Sequence, residues 1–175
     1  MPDGLFSFIR NQTNEKLNLS TWKTFKVSDL FKVECSKYHN PKDYEDGDVP
    51  YVARTTFNNG EIKRVSTTEK LYPANCITIG AESARAFYQE KPFITGNKTY
   101  RIYATEKSKL NKYIALFICT LLNKEGEKYD YVNAFVSEKI ENTLIPLPTK
   151  NNEPDWDYME KYVKDIYIHT KKLLI

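Results

Sequence analysis

Pro50-Tyr51-Val52-Ala53-Arg54-Thr55-Thr56-Phe57-Asn58-Asn59-Gly60 begins as a strand and ends as a turn. Tyr51 and Val52 are β-formers. Asn59 and Gly60 both tolerate positive φ, so together they mark a hairpin turn. Between strand and turn stand Arg54, Thr55, Thr56, Asn58 and Asn59, all with hydrogen-bonding side chains. A donor-rich strand end of this kind suits a reader of base edges. It is also what an ordinary surface hairpin looks like, and the stretch alone does not choose.

Reading 50–54 as a strand makes its neighbours strands too. Further candidates lie at 61–66, 75–80, 85–89 and 99–104, parted by turn signals at Pro73-Ala74, Gly80 and Thr95-Gly96-Asn97. Upstream, Trp22 to Val27 alternates apolar and polar residues, as a half-buried strand does. Ser28 is placed to cap a short turn carrying Leu30 and Phe31, Val33 to Cys35 reads as a second short strand, and Ser36 to Asp48 is a polar loop. Short strands at this spacing predict a bent, mostly antiparallel sheet.

After residue 104 the period changes. Ser108 is a candidate N-cap for a helix from Lys109 to Leu122, with Asn123 to Gly126 ending it. Its apolar residues (Leu110, Tyr113, Ile114, Leu116, Phe117, Ile118, Leu121, Leu122) wrap nearly all round, which predicts a buried central helix. A weaker helical turn covers Ser137 to Glu141. Leu144-Ile145-Pro146-Leu147-Pro148 returns as a strand that its prolines confine to an edge.

The last segment is the most regular. Pro154 fits the first helical position, Asp155 and Asp157 the first turn, and Lys171 and Lys172 the last. Trp156, Met159, Val163, Ile166, Thr170 and Leu173 fall on the a and d positions of a heptad. Glu160–Lys164 and Lys161–Asp165 are i, i+4 pairs on the other side. From Pro154 to Ile175 such a helix is about 33 Å long, more than a small sheet needs. Leu173, Leu174 and Ile175 at its end call for a partner, or else for its own domain. The fold class expected is therefore α+β: a bent, mostly antiparallel sheet around a buried helix, then a long C-terminal helix of coiled-coil type. The chain divides into a lead-in at 1–20, a domain at 21–150 and the helix at 151–175.

With 175 residues, the chain is long enough to bury a core without disulfides or metals. The net charge of +3 permits nucleic-acid binding without arguing for it. Thirteen tyrosines supply flat faces with a polar tip, suited to wet interfaces. Cys35, Cys76 and Cys119 lie far apart among strand-like neighbours, so buried free thiols and a reducing cytoplasm are expected. The N-terminus lacks an apolar h-region, and the longest apolar run, Tyr113 to Leu122, is too short to cross a bilayer; no membrane partner is expected.

No catalytic constellation stands out. His39 and His169 have no nucleophile pattern near them, and no phosphate loop, zinc-protease motif, nucleophile elbow or Asn/Asp-Pro-Pro-Tyr/Phe run occurs. Asp48 followed by Glu61-Ile62-Lys63 imitates the carboxylate–carboxylate–lysine spacing of metal-dependent nucleases. Alternation about Ile62 is equally what a solvated strand face gives. No catalytic residue, metal ligand or cofactor is assigned.

Binding chemistry remains. Beyond the first hairpin, Ala81-Glu82-Ser83-Ala84-Arg85 and Thr95-Gly96-Asn97-Lys98-Thr99 are polar groups beside strands. Arg reads guanine and Asn reads adenine through paired hydrogen bonds, while Lys and Thr hold phosphates. Arg54, Asn58, Asn59, Ser83, Arg85 and Asn97 are thus candidates for base contacts, with Thr55 and Thr56 in the same stretch. Lys63, Arg64, Lys91 and Lys98 are candidates for phosphates. Three loops of one sheet converging on a groove and three unrelated surface turns are both compatible with the sequence.

An ordered set of motifs narrows this. It runs Trp22-x-x-Phe25-x-Val27-x-Asp29-Leu30-Phe31, Val49-Pro50-Tyr51-Val52-x-Arg54-Thr55, Asn58-Asn59-Gly60, Ile77-Thr78-Ile79-Gly80, Ala86-Phe87-Tyr88-Gln89, Pro92-Phe93, Ile145-x-Leu147-Pro148 and Pro154-Asp155-Trp156-x-x-Met159. In this order the motifs resemble the target recognition domain of the specificity (S) subunits of type I restriction–modification systems, also found in BcgI-like enzymes. The resemblance covers about Trp22 to Ile168. It implies a bacterial, non-catalytic DNA-binding domain that reads one half of a split target, two such domains normally sharing one S subunit. It implies as partners double-stranded DNA, methyltransferase subunits and a restriction subunit. It also implies that long helices pair to set the spacing. Trp156, Met159, Val163, Ile166 and Leu173 would form that seam, with a second copy of the chain or a second specificity half. The alternatives are a fragment of a fused restriction enzyme with its own nuclease or methyltransferase activity, and a pure assembly module. The segment after Gly80 departs from the family in lacking further glycines, so no base assignment carries over.

Overall fold

The structure, a computed structural model, describes residues 19–37 and 39–173, the last two by backbone alone. The lead-in expected at 1–20 lies, apart from Leu19 and Ser20, outside the described residues, as do Leu174 and Ile175.

Cys-Ile-Thr-Ile-Gly at 76–80 has side chains that suit burial on both faces of a strand. It forms β5 (Cys76–Gly80), buried at every position. Flanking it are β8 (Thr99–Ala104) and β6 (Ala86–Gln89), and β2 (Phe31–Cys35) lies beyond β8 in an all-antiparallel sheet of order β2-β8-β5-β6. A second sheet has β3 (Asp46–Val52) between β4 (Glu61–Val65) and β7 (Ile94–Thr95); β3–β4 is antiparallel and β3–β7 parallel. A third joins β1 (Trp22–Lys26), β9 (Leu144–Lys150) and β10 (Glu153–Pro154). The mixed, mostly antiparallel character is as expected. The strands are nevertheless shared among three small sheets instead of one bent one.

β9 is the middle strand of its sheet, not an edge. The proline argument survives locally, because β10 pairs only with Thr149 and Lys150. Beside Pro146 and Pro148 the paired strand is β1. Short helices α1 (Val27–Leu30) and α3 (Ser137–Asn142) pack together at the junction, where the Val27 amide donates to the Thr143 carbonyl at 2.9 Å. Ser28 does not cap α1, which already starts at Val27 without a side-chain cap.

The central helix α2 spans Lys112–Gly126. It starts later than Ser108 because Asn111 is the better-placed cap: its Oδ1 accepts from the Tyr113 and Ile114 amides at 3.0 and 3.1 Å. Ser108 Oγ instead accepts from the Thr105 amide. Ile114, Ala115, Ile118 and Leu122 are buried in one core with Ile77, Ile79, Ile102, Phe135, Ile145 and Leu147. The helix is not buried all round: Leu116 and Thr120, one turn apart, form an open stripe. Cys76 and Cys119 are buried free thiols, whereas Cys35, at the end of β2, is exposed. Burial pushes the Cys76 thiol up to about 12.

The terminal helix α4 covers Trp156–Leu173. Pro154 belongs to β10 and is buried against Thr149, so Asp155 becomes the cap, with Oδ1 accepting from the Tyr158 amide at 3.0 Å. The i, i+4 pairs Lys161–Asp165 and Glu160–Lys164 form at 2.9 and 3.6 Å. The first half of the heptad seam is turned to the chain's own core. Met159 is fully buried, Trp156 meets Phe31 edge-on, and Val163 packs on the same cluster. Phe117–Tyr162 and Tyr113–Tyr167 contacts show α2 and α4 running antiparallel. Since α2 begins at Lys112, the last turns of α4 extend beyond its start. Among the described residues no helix is long and apolar enough to cross a membrane.

Candidate nucleic-acid interface

Gly80 decides where the polar loops meet. A Cβ there would stand 2.8 Å from Arg54 Cα and 2.7 Å from Ser83 Oγ, so only glycine lets the end of β5 touch the strand end of the first hairpin. The 81–85 turn is then fixed at both ends. The Ala81 amide donates to the Lys98 carbonyl at 2.9 Å and its carbonyl accepts from the Phe135 amide at 2.7 Å. The Ala84 amide closes on the Gly80 carbonyl at 2.8 Å, and Ala84 lies so close to α2 that a side chain at Gly126 would collide with its carbonyl oxygen. Ser83 Oγ donates weakly to the Gly80 carbonyl at 3.4 Å.

Between the two alanines, Glu82 holds the neighbouring loops by their cations. Arg54 Nη1 donates to Glu82 Oε1 at 2.8 Å and Lys98 Nζ to the same oxygen at 3.2 Å. The three polar loops thus converge, although they come from two sheets. Their meeting point is a carboxylate that the donor-seeking sequence reading passed over. Its position between Gly80 and Ser83 was the available signal. Arg85 is exposed and, among the described residues, makes no ion pair; Asn97 makes no side-chain hydrogen bond among them. Thr55 is half-buried and Thr56 exposed.

The rest of the first hairpin uses its polar side chains differently. Asn58, Asn59 and Gly60 take three successive left-handed conformations, with φ of 49°, 53° and 81°. Asn58 Nδ2 donates to the Glu61 carbonyl at 2.8 Å, and Asn59 Nδ2 to the Tyr88 carbonyl on β6 at 2.9 Å. The buried Gln89 amide returns a bond to the Asn59 carbonyl at 3.1 Å. The turn therefore lies along the outer edge of β6 and covers it. Lys63 Nζ donates to the Tyr44 carbonyl at 2.9 Å. Arg64 forks onto both oxygens of Glu61, at 2.9 and 3.2 Å. Of the nuclease-like set, Glu61 is thereby neutralised and Lys63 engaged elsewhere; among the described residues no group of carboxylate, His or Cys side chains is disposed to hold a metal ion. Lys91 follows β6 where Gln89 pairs with Cys76, the opposite end of β5 from Glu82, so it stands apart from the other candidates. His39 and His169 are engaged by the Tyr44 hydroxyl and the Asp165 carbonyl.

Two turns carry exposed apolar tips that the sequence reading did not single out. Phe57, at the head of the first turn, is 67% exposed. Tyr131 and Val132 are 77% and 93% exposed on a turn that Asp130 Oδ1 closes by accepting from the Val132 and Asn133 amides. That turn leads into Phe135, whose amide binds Ala81, so it flanks the loop cluster. An aromatic residue at a turn between polar residues was the signal in both places.

Known proteins share this fold. The type II restriction enzyme BgcI specificity subunit S.BcgI of Heyndrickxia coagulans is 34% identical over 160 residues, covering 89% of this chain and 46% of that protein. The type I restriction–modification S subunit from M. genitalium superposes with a TM-score of 0.65 at 17% identity, over 95% of this chain and 43% of that one. The HsdS subunit from Thermoanaerobacter tengcongensis does so with a TM-score of 0.60 at 12% identity, over 97% of this chain and 44% of that one. These two likenesses are of fold. The chain spans less than half the length of each of these relatives. The model of the type I restriction modification DNA specificity domain matches residues 19–174, and the chain belongs to that family.

Proposed function

We propose that this chain recognises one half of a split DNA target and directs separate methyltransferase and endonuclease subunits to it, without carrying their chemistry. The observation that carries this reading is the meeting of the Arg54, Glu82 and Lys98 loops at one point, with Arg85 exposed and Asn97 half-buried on the same loops, neither in a described hydrogen bond or contact ion pair of its side chain. A surface of loose polar turns has no reason to hold three loops in register. A reader of base edges does, because its donors must be fixed before contact.

In this proposal Arg54, Ser83, Arg85 and Asn97 face bases, Lys98 faces a phosphate, and Thr55 and Thr56 lie on the same edge. Asn58, Asn59, Lys63 and Arg64 keep the hairpin in shape, and Lys91 is peripheral. The last turns of α4, with Tyr167 and Ile168 42% and 45% exposed, take a helix from a second copy or a second specificity half.

Methylome sequencing of cells carrying or lacking this chain, with its partner subunits present in both, tests the proposal. The expected result is methylation of one split motif that appears only with the chain. Identical methylation in both cells overturns it.

A further inference from the structure

We infer that Glu82 is itself a base reader: its free carboxylate oxygen accepts the N4 amine of a cytosine, and the paired Arg54 addresses the guanine of the same base pair. The inference rests on the DNA-recognition reading above and goes further by giving one side chain one base.

Both cations that reach Glu82 bind the same oxygen, Oε1. Among the described residues Oε2 has no partner. Holding one oxygen with two donors orients the carboxylate and leaves the other as an acceptor. The side chain is 20% exposed, so it reaches solvent without being free to swing. Its backbone is pinned at Ala81 from two directions and at Ala84 by Gly80 and α2. Such preorganisation is what a specific contact requires.

Charge argues the same way. A lone carboxylate is repelled by DNA, but Arg54, Glu82 and Lys98 together carry one net positive charge, so the cluster approaches the backbone without penalty. The edge of a C·G pair presents a donor at cytosine N4 and acceptors at guanine O6 and N7. An arginine beside a glutamate presents the complement: an acceptor on Glu82 next to the remaining guanidinium donors of Arg54. The 2.8 Å contact between them sets acceptor and donors side by side, as neighbouring bases of one pair are.

The test is selection from a randomised duplex library by the full chain in complex with its co-purified methyltransferase subunit, followed by sequencing. Wild type is expected to enrich a motif containing a C·G pair. E82A should lose the preference for cytosine at that position by about tenfold while keeping the other positions. E82Q, which keeps the shape but adds a donor, should shift the same position toward adenine, the base that an amide reads. R54A should lose the preference at the same C·G position, whereas K98A should weaken enrichment of the motif as a whole. If wild type enriches a motif that E82A and E82Q leave unaltered, Glu82 merely ties down the two cations and this inference fails while the recognition reading stands. Loss of all enrichment in E82A and E82Q alike, with the fold intact by circular dichroism, also counts against it, since a reader of one base does not abolish the rest. Absence of any enriched motif for wild type sinks the recognition reading and this inference with it.

Discussion

In the β3–β4 hairpin, Asn58, Asn59, Lys63 and Arg64 direct their donors to Glu61, Tyr88 and Tyr44, all within the chain. Around the 81–85 turn, residues of the same types leave Arg85 and Asn97 without a side-chain hydrogen bond or contact ion pair among the described residues and gather Arg54 and Lys98 on one carboxylate. The two regions are alike in composition and opposite in use. The reason is geometric. The hairpin turn covers the outer edge of β6 and needs its amides to bind that edge, as an uncovered edge strand must be bound. The 81–85 turn is held by backbone bonds and by close packing on α2, so its side chains are left for something else. A list of polar residues cannot separate these cases; the identity of each partner can.

The contrast breaks most sharply at Gly126. Replacement by Ala drives a Cβ into the Ala84 carbonyl, which belongs to backbone and cannot rotate away. A loss of about 3 kcal/mol in thermal or denaturant unfolding is expected, as for other overpacked core sites. Recognition should fall with it, because the 81–85 turn has to leave α2. Amide exchange at Gly60, whose bond to the Phe57 carbonyl lies in the other turn, should change only as much as global stability does. Faster local opening at Gly60 than at Ala84 means the two regions are not independent.

Arg85→Ala carries the next largest effect, on binding alone. A base contact through the guanidinium is worth about 1–3 kcal/mol against the wrong base. The variant should lose that much on cognate duplex, measured by fluorescence anisotropy, and keep its melting temperature, since Arg85 makes no described hydrogen bond or contact ion pair and only a solvent-screened attraction to exposed Glu127. Equal losses on cognate and random duplex move Arg85 from bases to phosphates. Asn59→Ala is its mirror image. It removes the bond to the Tyr88 carbonyl and places an alanine at φ of 53°, a conformation that asparagine tolerates better. A cost of about 1 kcal/mol in stability is expected, with the selected motif unaltered. A changed base at any position shows that Asn59 releases β6 to read DNA.

Much of this was legible in the chain, for reasons that also explain the rest. Strands at 61–65, 76–80, 86–89 and 99–104 were found within a residue because each carries its own alternation or apolar run between turn signals. The division into three sheets was not, since pairing such as Tyr51 with Ile94 joins residues with no local signature. Two residues of β7 give no period at all. α2 is capped by Asn111 and not by Ser108, two good caps that only the tertiary fold ranks. Pro154 looked like a helix start because nothing in its vicinity announces a two-residue pairing with β9. The a/d seam of α4 was correctly periodic, but a heptad fits a neighbouring helix of the same chain as well as a foreign one. Met159 shows that the former claimed its first half. At the loops, the search for donors found Arg54 and Lys98 and overlooked the acceptor that joins them.

Arg64→Ala tests the comparison at its weakest point, where the smallest effect is expected. Arg64 is 46% exposed and forks onto Glu61, which is 27% exposed. Exposed pairs of this sort contribute about 0–1 kcal/mol, because water screens them and two long side chains must be held still. Stability should therefore fall by less than about 0.5 kcal/mol. If the ion pair only shapes the hairpin, the slope of log affinity against log salt should not change. A phosphate carries the same charge as the Glu61 carboxylate and accepts the same fork, so DNA within reach competes for Arg64. In that event the slope falls by about one when Arg64 is removed. A double variant with Glu61→Gln separates the outcomes. It restores binding only if Arg64 acted by neutralising Glu61, and it leaves the lowered slope in place if Arg64 exchanges one anion for another.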